Sequence, residues 1–129
     1  MQPGDRLTPM TIGPVSVEKM KILAAILRDP NTIHIDHDMV RERGLGDKTI
    51  NQGPTNMGYV TTMLDENFGP GTLARLTIRF GTNVFEDDIV TAGGEVTATD
   101  DTTITCEVWL DRQDASRAVA GTAVMRRTP

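Results

Sequence analysis

The chain has 129 residues, a mass of 14.1 kDa and a formal net charge of -5, with 38% hydrophobic and 24% charged residues. This balance excludes an intrinsically disordered chain and predicts a single domain that covers residues 1–129. The acidic charge, without a dense run of Lys or Arg, argues against a nucleic-acid-binding surface. The sequence has neither a run of ~20 apolar residues nor the features of a signal peptide. We therefore expect a cytoplasmic protein that does not bind membranes.

The first helix is predicted just after Ser16, which is a plausible N-cap. Proline disfavours a helical conformation in the residue before it, so the helix should end before Pro30, and residues 29–37 should form a loop. The apolar face of the helix follows helical spacing: Val17, Met20, Leu23, Ala24 and Leu27.

A second helix is predicted from Gly53-Pro54 to the stop signal Gly69-Pro70-Gly71. It has no charged residue from Gly53 to Leu64, whereas a surface helix usually carries charges on its outer face. We therefore expect protein on all sides of it. The predicted buried face comprises Met57, Val60, Thr61, Leu64 and Phe68.

Four strand-like runs follow this helix, over residues 75–80, 89–99, 103–110 and 117–126. Together with a short N-terminal strand, they predict an α+β domain in which a curved antiparallel sheet wraps around the second helix. The single cysteine, Cys106, alternates with apolar residues and is expected to be a small core residue.

The segment Asp29-Pro30-Asn31-Thr32-Ile33-His34 contains the residues best suited to proton transfer. In a loop broken by Pro30, the carboxylate of Asp29 and the imidazole of His34 can converge on one water molecule. By spacing alone, a plainer interpretation is favoured, in which Asp29 to Asn31 cap a helix and turn while His34 makes a structural hydrogen bond.

A second candidate feature is Ile50-Asn51-Gln52-Gly53-Pro54, at the start of the uncharged helix. Helix N-termini present unpaired N–H groups that can stabilise an oxyanion, and Gly53 would let a ligand approach the backbone closely. Taken alone, this feature is explained better by an ordinary Gly-Pro helix start.

Other polar residues give weaker indications. His34, Asp36 and His37 are too few and too close together to predict a metal site. Arg75 and Arg79 could pair with ligand phosphates, although arginines on strands usually belong to a solvated face.

The pattern Asp29-x-Asn31-x-x-His34-x-Asp36 resembles the signature Gly-Asp-x-Asn-Pro-x-His-x-Asp of the MaoC-like (R)-specific enoyl-CoA hydratases. Further segments look like other parts of that family in the same order: Gly13-Pro14-Val15, Ile50-x-x-Gly53, Arg79-Phe80-x-x-x-Val84-x-x-x-Asp88-x-Val90, Gly94-Glu95-Val96-Thr97 and Gly121-Thr122-Ala123-Val124.

The resemblance implies a hot-dog fold and reversible hydration of a trans-2-enoyl-CoA to a 3-hydroxyacyl-CoA. It implies that Asp29 and His34 hold the reacting water and that the Gly53 N–H holds the thioester oxygen. Asn31 and Thr61 would lie beside the substrate. It also implies no cofactor or metal, coenzyme A as part of the substrate, and a homodimer or a heteromer with a second hot-dog chain.

The sequence departs from the family pattern at several positions: Arg28 and Asp87 replace glycines, Thr32 replaces a proline and Val40 replaces a small residue. These departures suggest a divergent subfamily. Arg28-Asp29, Phe80-Gly81 and Val84-Phe85 look like the small subunits of actinobacterial steroid side-chain hydratases, which pair with a different hot-dog chain. A non-catalytic or co-catalytic partner subunit therefore remains an alternative. A hot-dog thioesterase is a further alternative, which the Asp-x-Asn-x-x-His pattern disfavours.

Overall fold

A five-stranded antiparallel sheet and one long helix dominate the computed structural model, which describes residues 1–27, 32–34 and 36–127. The sheet order is β1-β3-β4-β5-β2, and the helix α3 contacts strands β2 to β5. This arrangement confirms the predicted α+β architecture. The elements are β1 (Met10–Ile12), α1 (Val17–Leu27), a single 3-10 turn (Thr32–His34), α2 (His37–Glu42), α3 (Gly53–Phe68), β2 (Leu73–Phe80), β3 (Val90–Thr99), β4 (Thr103–Arg112) and β5 (Arg117–Arg126).

The core lies between α3 and the inner face of the sheet. Period-two alternation points Cys106, Val108 and Leu110 of β4 inward, and Cys106 pairs in register with Ala123 of β5. Cys106 is fully buried, as predicted, and burial raises the pKa of its thiol to about 11. This thiol is therefore protonated at neutral pH and belongs to the core.

The central helix begins at Gly53 and ends at Phe68, in agreement with the predicted stop. Its predicted buried face is wrong in part, because Met57 is 38% exposed and Met63 is fully buried instead. Asn56, Val60, Met63 and Leu64 form the buried face, so the helix is rotated relative to the prediction. The opposite side of α3 is exposed to solvent in this chain, which contradicts the expectation that protein surrounds the helix.

The first helix begins at Val17 as predicted, and the hydroxyl of Ser16 accepts a hydrogen bond from the Lys19 N–H at 3.4 Å. The expected loop over residues 29–37 is wrong at its C-terminal end, because α2 begins at His37. Asp36 caps this short helix by accepting the N–H groups of Asp38 and Met39, at 2.9 and 3.3 Å.

The two edges of the sheet differ in length. One edge is the three-residue β1, and the other is the eight-residue β2. The last residue of β2, Phe80, is 59% exposed although its side chain points to the helix side of the sheet. The beginning of α3 therefore lies beside a long unpaired edge with exposed apolar surface.

Candidate active site

Residues 49–51, which lead into α3, connect two distant segments of the chain. The Ile50 N–H donates to the Ile33 carbonyl at 2.9 Å, and the Asn51 N–H donates to the Val84 carbonyl at 2.7 Å. Ile50 also forms an isolated antiparallel bridge with Phe85. The 3-10 turn is thereby fixed against the entrance of the central helix.

His34 contacts this entrance directly. Its side chain is buried, and its Nδ1 lies 2.5 Å from the Ile50 carbonyl oxygen. A carbonyl oxygen only accepts hydrogen bonds, so Nδ1 carries the proton of this contact. The bond orients the imidazole ring against the entrance of α3.

The first turn of α3 presents one open backbone donor. The N–H groups of Thr55 and Asn56 both donate to the Gln52 carbonyl, at 3.1 and 3.2 Å, and Pro54 has no N–H. Within the described part of the chain, the Gly53 N–H has no acceptor. It is therefore available to a ligand oxygen, three residues beyond the carbonyl that holds His34.

Glycine at position 53 also makes room for Phe80. A Cβ atom at this position would lie 3.2 Å from Cζ of the Phe80 ring, which is tighter than an ordinary van der Waals contact. The absence of a side chain thus allows the end of β2 to cover the start of α3.

The remaining predicted residues are distributed as follows. Asp29 and Asn31 lie outside the described residues. Thr61 lies on α3, about 12 Å along the helix axis from Gly53 at 1.5 Å per residue. Its hydroxyl donates to the Gly58 carbonyl at 3.0 Å, so the structure does not join it to His34.

Arg75 and Arg79 lie on the outer face of the sheet. They alternate along β2 with Leu76 and Ile78, which pack against the core on the side of α3. Arg79 lines a depression of about 390 Å³ on that outer face, which Trp109 also lines. Within this chain, the two arginines are therefore on the opposite side of the sheet from Gly53.

Two polar contacts that the sequence did not predict hold the loop between β2 and β3. Asp88 is buried and accepts hydrogen bonds from Arg112 Nε, Gln113 Nε2 and the Phe85 N–H, each at 2.8 Å. Burial alone would raise the pKa of Asp88, but these hydrogen bonds and the charge of Arg112 lower it below its ordinary value. Asp88 is thus an ionised structural anchor.

The second contact joins α2 to the same loop. The Nε2 of His37 makes a hydrogen bond with the Glu86 carboxylate, which also accepts the Thr49 N–H at 3.0 Å. His37 and Glu86 are 49 positions apart, and no local sequence signal pairs them. Asp36 and His37, two of the residues considered above for a metal site, make the cap and anchor contacts instead. Among the described residues, no three His, Cys, Asp or Glu side chains are grouped to hold a metal.

A groove runs between α1 and α3. Its outer part, of about 360 Å³, is lined by apolar and small residues, and its inner part has about 230 Å³. Leu23, Thr55 and Tyr59 line both parts, so the two are continuous. The side of α3 without charged residues forms one wall of this groove. This position explains why the first three turns of the helix carry no charge.

No family model matches the sequence, and no curated protein sequence matches it. Among the helices of the described residues, none is long and apolar enough to cross a membrane.

Solved structures do share the fold. The (R)-hydratase from A. caviae involved in PHA biosynthesis superposes with a TM-score of 0.88 at 23% identity, over 99% of this chain and 98% of that one. The ChsH1-ChsH2 complex from Mycobacterium tuberculosis gives 0.85 at 24% identity, over 98% of each chain. A MaoC-like dehydratase gives 0.90 at 21% identity, over 100% of this chain and 41% of that chain. The comparisons confirm the predicted hot-dog fold, which this chain shares with MaoC-like dehydratases and (R)-hydratases.

Proposed function

We propose that the chain hydrates a trans-2-enoyl-CoA thioester reversibly to a 3-hydroxyacyl-CoA. One observation carries this proposal: the buried His34 is hydrogen-bonded to the Ile50 carbonyl, and the open Gly53 N–H lies three residues beyond Ile50. An imidazole with one nitrogen committed to a carbonyl, beside an open donor at a helix N-terminus, suits proton transfer next to a developing oxyanion. The hot-dog fold shared with known hydratases supports the same reaction class.

In the proposed reaction, the Gly53 N–H takes up negative charge on the thioester oxygen as the enolate forms. Asp29 and the Nε2 of His34 bind the water, remove one of its protons and supply a proton to the α-carbon, while the water oxygen bonds to the β-carbon. Dehydration is the reverse. Removal of one oxyanion donor costs about 3–4 kcal/mol of transition-state stabilisation in other enzymes, and acid–base catalysis supplies about 10²–10⁴-fold.

The proposed site for the acyl group is the groove between α1 and α3, which adjoins Gln52 and therefore Gly53. Asn31 and Thr61 are proposed substrate contacts on the strength of the resemblance. For Arg75 and Arg79, a role with the coenzyme A phosphates would require that the ligand reach the outer face. The reaction needs no cofactor or metal beyond the coenzyme A of the substrate.

We propose further that the chain pairs with a second hot-dog chain, a copy of itself or a different one. An eight-residue edge strand has unpaired backbone groups, and its last residue, Phe80, exposes an apolar side chain; Met57 on α3 is exposed as well. The similar ChsH1-ChsH2 structure is a complex of two proteins, which supports the heteromeric form. The same similarity favours one second candidate function, a partner subunit that completes another chain's site.

A panel of enoyl-CoAs with short, medium and steroidal acyl groups tests the proposal. The loss of enoyl thioester absorbance is followed with the purified chain, alone and after coexpression with hot-dog chains encoded nearby. Turnover by the chain alone supports catalysis by its own residues. If turnover occurs only with a partner and is unchanged by Asp29→Asn and His34→Ala, catalysis belongs to the partner.

A further inference from the structure

The β2 edge of the sheet carries two positive charges without counter-ions. Arg75 and Arg79 lie on the outer face of this strand, and both are exposed. Within the described part of the chain, neither makes an ion pair. The eight residues of β2 include no acidic one, although the whole chain has a net charge of -5. The edge is therefore a basic strip on an acidic protein.

The neighbouring strand offers these arginines no carboxylate. The register pairs Arg75 with Val124 and Arg79 with Ala120, and β5 contains no acidic residue. Glu107 of β4 lies two strands in from the edge, which is about 10 Å at the usual spacing of strands. The two guanidinium groups are thus free to pair with carboxylates of another molecule.

A second copy of the chain fits this edge poorly. In an antiparallel pair of identical strands, the numbers of two facing residues have a constant sum. If the two-fold axis passes through Thr77, each Arg75 faces Arg79 of the other copy. If the axis passes through Leu76 or Ile78, one arginine of each copy faces a threonine and lies diagonal to both arginines of the other copy. Like charges opposite each other destabilise a strand pair, and long side chains also reach their diagonal neighbours.

The edge is nonetheless suited to another partner. Charged side chains can protect an edge strand against any addition. Here, however, the strand ends in Phe80, which is 59% exposed on the side of α3, and Met57 of that helix is 38% exposed. Burial of apolar surface stabilises association. The edge therefore has apolar surface that a partner would cover and charges that disfavour a copy of this chain.

We infer that β2 pairs with the edge strand of a different hot-dog chain, and that this strand carries one carboxylate opposite Arg75 and another opposite Arg79. The two carboxylates are four residues apart, about 14 Å along the strand. On the other face of the partner strand, apolar residues continue the row of Leu76 and Ile78. The inference rests on the proposed function, which includes pairing with a second hot-dog chain, and it names the chemistry of that partner.

The full chain can itself supply the acidic strand for a test. In the register centred on Thr77, the variant Arg75→Glu/Arg79→Glu presents two carboxylates to the wild-type edge. We expect the mixed dimer to be at least about tenfold tighter than either homodimer, since opposite-charge pairs replace like-charge pairs. Native mass spectrometry separates the three dimers by mass, and sedimentation equilibrium measures their dissociation constants. A mixed dimer no tighter than the wild-type homodimer would overturn the inference.

A single charge reversal tests the same edge in one protein. Arg75→Glu makes β2 self-complementary, because the new carboxylate of each copy faces Arg79 of the other. Its homodimer should be at least about tenfold tighter than that of the wild type, whereas the double variant should not gain. Homodimers of Arg75→Glu that are as weak as those of the wild type would contradict pairing along this edge.

A matched control separates the edge from net charge. Lys21→Glu/Arg41→Glu makes the same change in net charge as the double edge variant, at exposed positions of α1 and α2. Its mixture with the wild type should show no tighter dimer than the wild type alone. An equal gain with this control would assign the effect to net charge and overturn the inference. Circular dichroism verifies the fold of each variant.

Salt and the absence of substrate complete the test. In 1 M NaCl the Debye length falls to about 3 Å, so the advantage of the mixed dimer should shrink. An advantage that salt leaves unchanged would contradict a preference based on charge. Because no acyl-CoA is present, the result does not depend on the proposed reaction. Turnover by the chain alone, without selective pairing, would contradict the inference and leave the reaction standing. Selective pairing without turnover, alone or with a partner, would contradict the reaction and support the inference.

Discussion

The imidazole of His37 and the carboxylate of Glu86 join α2 to the loop between β2 and β3, and the same carboxylate accepts the Thr49 N–H at 3.0 Å. The Glu86 N–H in turn donates to the Thr49 carbonyl at 2.9 Å. This contact therefore fixes both ends of the segment 37–49, which connects the turn that carries His34 with the residues that lead to Gly53.

Loss of this anchor should lower turnover as well as stability. Glu86→Ala leaves the buried Thr49 N–H without its side-chain acceptor, which costs about 1–3 kcal/mol, whereas Glu86→Gln retains an acceptor. We expect His37→Ala and Glu86→Ala to reduce kcat per folded molecule by similar factors, and the double variant to be little worse. The control is Arg41→Ala, which removes an exposed ion pair with Asp38 on the same helix. Fully additive effects would contradict a shared role.

The Asp88–Arg112 pair should contribute to the pH dependence of stability. Because the folded-state pKa of Asp88 is lowered, its contribution is complete above its ordinary pKa of 3.8 and is lost as the pH falls through the folded value. Asp88→Asn should therefore be less stable at neutral pH by about 1.5–3 kcal/mol. Its free energy of unfolding should also fall less steeply than that of the wild type below pH 3.8. Urea unfolding at a series of pH values measures both quantities, and parallel curves would contradict the account.

Gly53→Val should lower turnover because a branched side chain crowds the backbone donor. The close contact with Phe80 adds a second effect, since the new side chain would also displace this ring. Phe80→Ala removes that collision, so the double variant Gly53→Val/Phe80→Ala separates strain from loss of the donor. We expect its kcat to remain low relative to Phe80→Ala alone, with circular dichroism as the control. Recovery of full turnover in the double variant would remove the oxyanion role from Gly53.

The chain should assemble through the β2 edge. Met57 is 38% exposed and follows Gly53 by one turn of α3, and a Cβ at Gly53 would touch Phe80 of β2, so Met57→Glu should weaken assembly measured by light scattering. Ile22→Glu is the matched control, because Ile22 is a 63% exposed apolar residue on α1. A stable monomer with full activity would rule out a functional dimer or heteromer.

Sequence periodicity predicted the elements whose apolar faces are long enough to show a period. The bounds of β5 and the start and stop of α3 follow the predicted ones, and the N-cap of α1 is confirmed. The six-residue α2 was missed because it is shorter than two turns and is specified mainly by the Asp36 cap and the buried Val40. The rotation of α3 toward Met63 depends on tertiary packing, which local spacing does not encode.

The site was predictable to a smaller extent. The positions of His34 and Gly53 in two motifs could be read from the sequence, but the bond from His34 to Ile50 joins residues 16 positions apart. The anchors His37–Glu86 and Asp88–Arg112 join residues even more distant in the chain. Such contacts depend on the register of the sheet and on the path of the loops, and periodicity gives neither.

The most direct test of the proposed reaction is turnover by Asp29→Asn and His34→Ala, measured as loss of enoyl thioester absorbance per folded protein with any partner chain present. Each change should reduce the rate by about 10²-fold or more, because both residues act on one water. The double variant should be little worse than either single variant, since the two residues act as a unit. A folded Asp29→Asn protein that hydrates its substrate at the wild-type rate would contradict the mechanism and favour the partner-subunit function.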